Sequence, residues 1–215
     1  MAYAVKEIFP TLQGEGFHTG RAAVFCRFAG CNLWSGRASD RARGTGGCAR
    51  WCDTDFVGTD GTGGGRFDDA DALADAVARA WSPRSSGGAP YVVCTGGEPL
   101  LQLDEALVDA LHARGFEVGV ETNGTLRPPR GVDWVCVSPK DGAALLLTEG
   151  DELKLIFPQA HALPERFEAM SFRHYFLQPM DGPARAENTA RAARYCLENP
   201  RWRLSLQTHK LIGIP

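Results

Sequence analysis

Five short apolar runs in this chain each stop at a polar motif, and no other feature limits its fold as much. Tyr91–Thr95 runs into Thr95-Gly96-Gly97-Glu98-Pro99, and Phe116–Val120 into Glu121-Thr122-Asn123-Gly124. Trp134–Val137 precedes Ser138-Pro139-Lys140, His174–Leu177 precedes Gln178-Pro179-Met180-Asp181, and Trp202–Leu206 leads to Gln207-Thr208-His209. Runs of this length bounded by turn formers read as strands, as do Ala4–Ile8, Ala22–Phe28 and Glu152–Phe157. Helical spacing appears between them over Asp68–Trp81, Leu103–Arg114 and Arg185–Glu198, and weakly over His161–Met170. Such alternation predicts an α/β fold with a parallel sheet. The count is about seven strands and about four helices, and a closed eightfold barrel typically needs roughly 250 residues. The chain has 215. The expected fold is therefore an incomplete, modified (β/α) barrel, in one domain over residues 1–215. Ser82–Gly88 reads as a turn-rich connector within it. Ligands of parallel α/β folds gather at the carboxyl ends of the strands, so the five motifs are expected on one rim.

The segment from Cys31 to Gly65 breaks the alternation. It is rich in Gly, Asp, Arg and Thr and reads as a long loop, a length that in compact domains often signals function. It contains Cys31, Cys48 and Cys52. Thiolates suit iron–sulfur clusters or zinc. A closed zinc site wants four ligands, and no histidine lies within the loop. Three ligands leave one metal position open, as chemistry requires. Spacing alone leaves both a catalytic cluster and a structural zinc open. The other four cysteines, Cys26, Cys94, Cys136 and Cys196, sit in apolar strands or a helix and read as buried small hydrophobes.

Composition narrows the classes further. The formal net charge of -3 gives no basis for a nucleic-acid or membrane surface, and no apolar run approaches a membrane span. Met1–Thr11 lacks a basic start followed by an apolar stretch, so it is not a signal peptide and the cytoplasm is the default location. An odd number of cysteines in a chain of this size argues against a disulfide framework.

The three cysteines followed by Thr95-Gly96-Gly97-Glu98-Pro99 resemble the radical S-adenosylmethionine (SAM) superfamily. In that superfamily a three-cysteine loop holds a [4Fe–4S] cluster, and a strand-end Gly-Gly-Glu motif binds the methionyl amino group of SAM. A closer resemblance spans nearly the whole chain. Phe9-Pro10-Thr11-Leu12-Gln13-Gly14-Glu15-Gly16, Phe25-Cys26-Arg27-Phe28, Cys31-Asn32-Leu33-Trp34, Cys52-Asp53-Thr54, Glu121-Thr122-Asn123-Gly124-Thr125, Val137-Ser138-Pro139-Lys140 and Gln207-Thr208-His209-Lys210 are similar to the 7-carboxy-7-deazaguanine synthase family. One departure stands out: Ala49-Arg50-Trp51 separate Cys48 from Cys52, where most radical SAM enzymes have two residues.

The resemblance implies a radical-mediated ring contraction of 6-carboxy-5,6,7,8-tetrahydropterin to 7-carboxy-7-deazaguanine with loss of ammonia, on the route to queuosine. SAM would be regenerated as a cofactor, an electron donor such as flavodoxin would supply the electron, and the enzyme would be a homodimer. Cys31, Cys48 and Cys52 would hold the cluster. Trp51, Cys52, Asp53, Gly97, Glu98, Ser138, Pro139, Lys140, Gln178, Pro179, Met180 and Asp181 would surround cluster and SAM. Thr54 would ligate Mg²⁺, against a plainer role as a turn or helix cap. Leu12, Gln13, Gly14, Glu15, Arg27, Thr95, Glu121, Asn123, His209 and the terminal carboxylate of Pro215 would line the substrate site. Gln13 and Glu15 also read as solvated loop residues, Arg27 as a surface salt bridge, the Ser138 and Gln178 motifs as plain connections, and Pro215 as a loose tail. The rival classes are an activating enzyme that makes a glycyl radical on a partner protein, and a non-enzymatic zinc module.

Overall fold

The computed structural model describes residues 2–44, 47–81 and 88–215. Nine strands form one sheet: β1 (Tyr3–Leu12), β2 (Ala22–Phe28), β3 (Gly65–Phe67), β4 (Tyr91–Gly96), β5 (Glu117–Thr122), β6 (Trp134–Val137), β7 (Glu149–Phe157), β8 (Ser171–Pro179) and β9 (Trp202–Leu204). Their spatial order is β3-β1-β2-β4-β5-β6-β7-β8-β9. From β2 to β9 every neighbouring pair is parallel, while β1 runs antiparallel to both β2 and β3. The sheet does not close, because β3 and β9 stay at opposite edges. The incomplete barrel expected from strand count is therefore what forms, with an antiparallel edge that alternation alone did not predict.

Helices α1 (Ala70–Ala80), α2 (Glu105–Ala113) and α3 (Arg185–Glu198) cover one face, and a short α4 (Thr208–Ile212) ends the chain. The Asp69 carboxylate caps α1 by accepting from the Ala72 amide at 2.8 Å, and Asp104 caps α2 through Leu107 at 3.0 Å. The period of two along each strand sorts residues between faces. Val24, Cys26 and Phe28 of β2, Val92 and Cys94 of β4, and Val118 and Val120 of β5 pack under α1 and α2 with Leu73, Val77, Leu107 and Leu111. Leu153, Leu155, Tyr175, Leu177 and Trp202 form a second core with Ala192 of α3.

The alternate residues face the open side of the sheet. Among them Arg27, Thr95, Glu121, Lys154 and Gln178, together with the apolar Phe25 and Ile156, line the cavity described below, which leaves this face as the place for a ligand. Three elements depart from expectation. His161–Met170 supplies only a 3₁₀ turn, Pro164–Phe167, because Pro164 starts it and too few apolar positions follow. Thr208–Ile212 is helical, and Gly65–Phe67 is a strand of three residues, too short for a periodic signal. The expected connector at Ser82–Gly88 lies, apart from Gly88, outside the described residues.

Candidate active site

A cavity of about 320 Å³ opens at the carboxyl ends of the parallel strands. Cys31, Cys48, Cys52, Trp51, Asp53 and Thr54 line it from the long loop, and Thr95, Gly97, Glu121, Asn123, Ser138, Lys140 and Gln178 from the strand ends. Leu12, Gln13, Gly14, Glu15, Arg27, His209 and Pro215 complete that set. Glu98, Pro139, Pro179, Met180 and Asp181, also expected at the site, do not line it.

The cysteine loop has its own small core. Trp34, Ala49 and Phe56 are buried together, with the Trp34 and Phe56 rings edge to face at 5.7 Å. The extra residue between Cys48 and Cys52 is absorbed by a tight turn: the amides of Trp51 and Cys52 both donate to the Cys48 carbonyl, at 3.0 and 2.7 Å. Arg41 clamps this turn, donating to Ala49 O at 2.6 Å and to Cys52 O at 3.1 Å while its guanidinium lies 4.7 Å from the centre of the Trp34 ring.

All seven cysteines are unbridged. Burial pushes the Cys48 thiol up to about 11, with neighbouring Lys140 acting downward and Cys52 and Cys31 adding to the rise. Cys31 is likewise raised by burial, offset by the amides of Leu33 and Trp34, the former donating to its sulfur at 3.4 Å. All three cysteines line the same cavity. Yet among the described residues no three of His, Cys, Asp and Glu converge to hold a single metal ion. By its chemistry, a set of three cysteine thiols suits an iron–sulfur cluster that keeps one iron free, whereas a closed zinc site wants four ligands. A half-buried ammonium on Lys140 lies near Cys48, where it offsets thiolate charge. Burial lowers its pKa, and its Nζ donates to Ser138 O at 2.7 Å and Ser138 Oγ at 2.5 Å.

The Gly-Gly-Glu-Pro segment explains itself in steric terms. A Cβ on Gly97 would collide with Gly30 O and with Cys31 Cβ, so only glycine lets the end of β4 lie against the first cysteine. Gly96, at φ +146°, has the Phe28 carbonyl in the same position. Glu98 is fully buried and points away from the cavity. Its carboxylate accepts from Thr122 Oγ1 (2.8 Å), Asn123 N (2.8 Å) and Leu100 N (3.0 Å), and burial raises its pKa. Glu98 therefore ties β4 to the end of β5. Asn123 in turn donates to Asn32 Oδ1 at 3.0 Å, linking β5 to the residue after Cys31.

Several alternatives left open by the sequence are resolved. Glu15 is not a solvated loop residue: its side chain is 15% exposed and bonds Lys154 at 2.6 Å. Gln13 is buried and donates to Glu121 at 3.0 Å. Thr54 caps no helix. Arg27 lines the cavity and also pairs with Glu7 through Nε at 2.7 Å. Pro215 is not loose, since its backbone oxygen accepts from Thr11 Oγ1 at 2.7 Å. Asp181 pairs with Lys210 at 2.7 Å, which also holds Asp53 at 2.6 Å and so latches the cysteine loop to α4.

Sequence reasoning missed Lys154, which lines the cavity from the middle of β7. The signal was present in the alternation Glu152-Leu153-Lys154-Leu155-Ile156, which sets charged residues on one face of an apolar strand. Phe9, Phe25 and Gln207 also line the cavity and were not assigned to it.

No protein-family model matches the chain. It is 66% identical over 215 residues to the 7-carboxy-7-deazaguanine synthase of Bordetella pertussis, covering all of both chains. The chain belongs to the 7-carboxy-7-deazaguanine synthase family. A second member, from Bradyrhizobium diazoefficiens, is 65% identical over the full length of both chains. Among solved structures the fold matches that of QueE from Escherichia coli with a TM-score of 0.70 at 29% identity, covering 96% of this chain and 94% of that one. Membership makes this chain a radical SAM enzyme of the 7-deazaguanine pathway to queuosine.

Proposed function

We propose that this chain is a 7-carboxy-7-deazaguanine synthase that contracts the ring of 6-carboxy-5,6,7,8-tetrahydropterin in a Mg²⁺-dependent reaction releasing ammonia. The observation that carries the proposal is the meeting of three unbridged thiols, a glycine-floored strand end and a wall of carboxylates and amides in one cavity, in a chain 66% identical to such a synthase.

Cys31, Cys48 and Cys52 would hold a [4Fe–4S] cluster, leaving one iron for SAM. When bound, cluster and SAM supply the one-electron chemistry that removes hydrogen from pterin C6. The chain's own residues bind, orient and shield. Gly97 gives a ligand close approach to backbone beside Cys31. Ser138, Lys140 and Gln178 frame the SAM side, with Trp51 and Asp53 next to the cluster. Glu98, Pro139, Pro179, Met180 and Asp181 act from behind by holding those turns in place. The Thr54 hydroxyl is a hard oxygen ligand for Mg²⁺, which would orient the substrate carboxylate. Arg27 keeps its terminal nitrogens for that carboxylate while Nε stays on Glu7. Leu12, Gln13, Gly14, Glu15, Thr95, Glu121, Asn123, His209 and Pro215 surround the heterocycle.

Family resemblance alone supports a reduced flavodoxin-like electron donor and a homodimer, and full-length bacterial biosynthetic relatives support a cytoplasmic location. Among the described residues no helix is long and apolar enough to cross a membrane.

The test is an anaerobic assay of reconstituted protein with SAM, reductant, Mg²⁺ and the carboxytetrahydropterin, reading product mass and SAM content. Formation of 7-carboxy-7-deazaguanine with SAM conserved supports the proposal. SAM consumption without that product, coupled to radical formation on a partner protein, would favour an activating enzyme and overturn it.

A further inference from the structure

Lys154 stands on β7 with its side chain 3% exposed, facing the cavity rather than the helices. Its Nζ meets Glu15 Oε2 at 2.6 Å and Glu121 Oε2 at 3.1 Å. Each carboxylate uses its other oxygen to accept from a glutamine amide: Gln207 Nε2 reaches Glu15 Oε1 at 3.0 Å, and Gln13 Nε2 reaches Glu121 Oε1 at 3.0 Å. The arrangement joins the 13–15 loop, β5, β7 and the start of α4 around one ammonium.

Stability does not explain such a network. Apolar side chains of similar volume would pack this face as well or better, since the desolvation of buried ions commonly exceeds their mutual attraction. The ratio of charges is also uneven: one ammonium faces two carboxylates, and Glu152 lies buried on the same strand face. Glu15 and Glu121 both line the cavity, so this wall keeps net negative character and carboxylates held in fixed positions. That suits a flat heterocycle presenting adjacent N–H donors, and repels a carboxylate.

We infer that Lys154 is a positioning residue of the substrate site, holding Glu15 and Glu121 as fixed, charged acceptors for the N–H edge of the substrate. The inference rests on the substrate class proposed above. Lys154 acts through its two partners, and a variant that keeps the charge balance without the ammonium separates that role from a structural one.

The experiment measures anaerobic calorimetric binding of 6-carboxytetrahydropterin to cluster-loaded protein without reductant, alongside iron content, SAM binding and melting temperature. Lys154→Met should weaken pterin binding by about a hundredfold, the scale of breaking one buried charge pair. Iron content and SAM binding should stay as in the wild type, and Lys154→Arg should recover part of the loss. Should Lys154→Met fail to fold, the double variant Lys154→Met/Glu121→Gln restores the charge balance. It should regain the melting temperature while binding the pterin more weakly than Glu121→Gln alone. Wild-type pterin affinity in the Met variant, or a double variant that binds as well as Glu121→Gln, overturns the role of Lys154 alone. A wild-type protein that holds its cluster yet binds no pterin overturns the functional reading itself, and the Lys154 role with it.

Discussion

The Cys52 amide donates to the Cys48 carbonyl at 2.7 Å, so these two thiols leave the chain one turn apart. The additional residue in the cysteine motif is taken up in this turn, and Arg41 holds it by the carbonyls of Ala49 and Cys52. Arg41→Ala should cost about 1–3 kcal/mol, the range for losing charge-assisted hydrogen bonds to otherwise buried acceptors. Urea denaturation and the iron retained after reconstitution check this. Undiminished stability together with full iron would show that the turn forms without the clamp.

Glu98 offers a sharper test of how the strand ends are held. Glu98→Ala strands the donors of Thr122, Asn123 and Leu100 in a buried place. A loss on the order of 3 kcal/mol is expected, and Glu98→Gln should lose less because it keeps an acceptor oxygen. Denaturant midpoints at fixed pH give the comparison.

Thr54→Ala should leave iron content unchanged and weaken the response of turnover to Mg²⁺, seen as a rightward shift in the Mg²⁺ titration. An unchanged titration would remove Thr54 from the metal site.

Acid stability should depend on Glu15. Burial acts to raise its carboxyl, but the Lys154 ammonium and the Gln207 amide prevail and hold it down to about 2, against an ordinary 4.5. A carboxyl depressed by folding adds stability that is fully present above its unfolded value and is lost as pH falls toward the folded one. The wild-type urea midpoint should therefore drop between pH 4.5 and 2 more steeply than that of Glu15→Gln. Parallel curves would show that the Glu15 contact contributes nothing net.

Much of this architecture was legible because strand ends and chemistry coincide. The five polar motifs follow apolar runs directly, and the structure brings residues from each to one rim. The cysteine motif was legible as a set of ligands, while its path was not. That path depends on Arg41 reaching back to Ala49 and Cys52, contacts with no periodic signature. Glu98 and Asp181 read as ligands because they lie in strand-end motifs. Whether such a carboxylate faces the cavity or its supporting turn is decided by tertiary neighbours: Thr122 and Asn123 for Glu98, Lys210 for Asp181. Lys154 escaped notice because the alternation puts it on one face with Glu152, while only the neighbouring strands and the 13–15 loop make that face a wall of the cavity.

Cys31, Cys48 and Cys52 are proposed to share one cluster with a corner free for SAM. Paramagnetic resonance of the reduced, reconstituted protein with ¹⁵N-labelled SAM, alongside iron and sulfide analysis, tests it most directly. About four irons and four sulfides per chain, with nitrogen coupling from SAM, are expected in the wild type and in Cys196→Ala, while Cys48→Ala should lose the cluster. A colourless protein holding only zinc, or equal iron loss in Cys48→Ala and Cys196→Ala, would contradict the account.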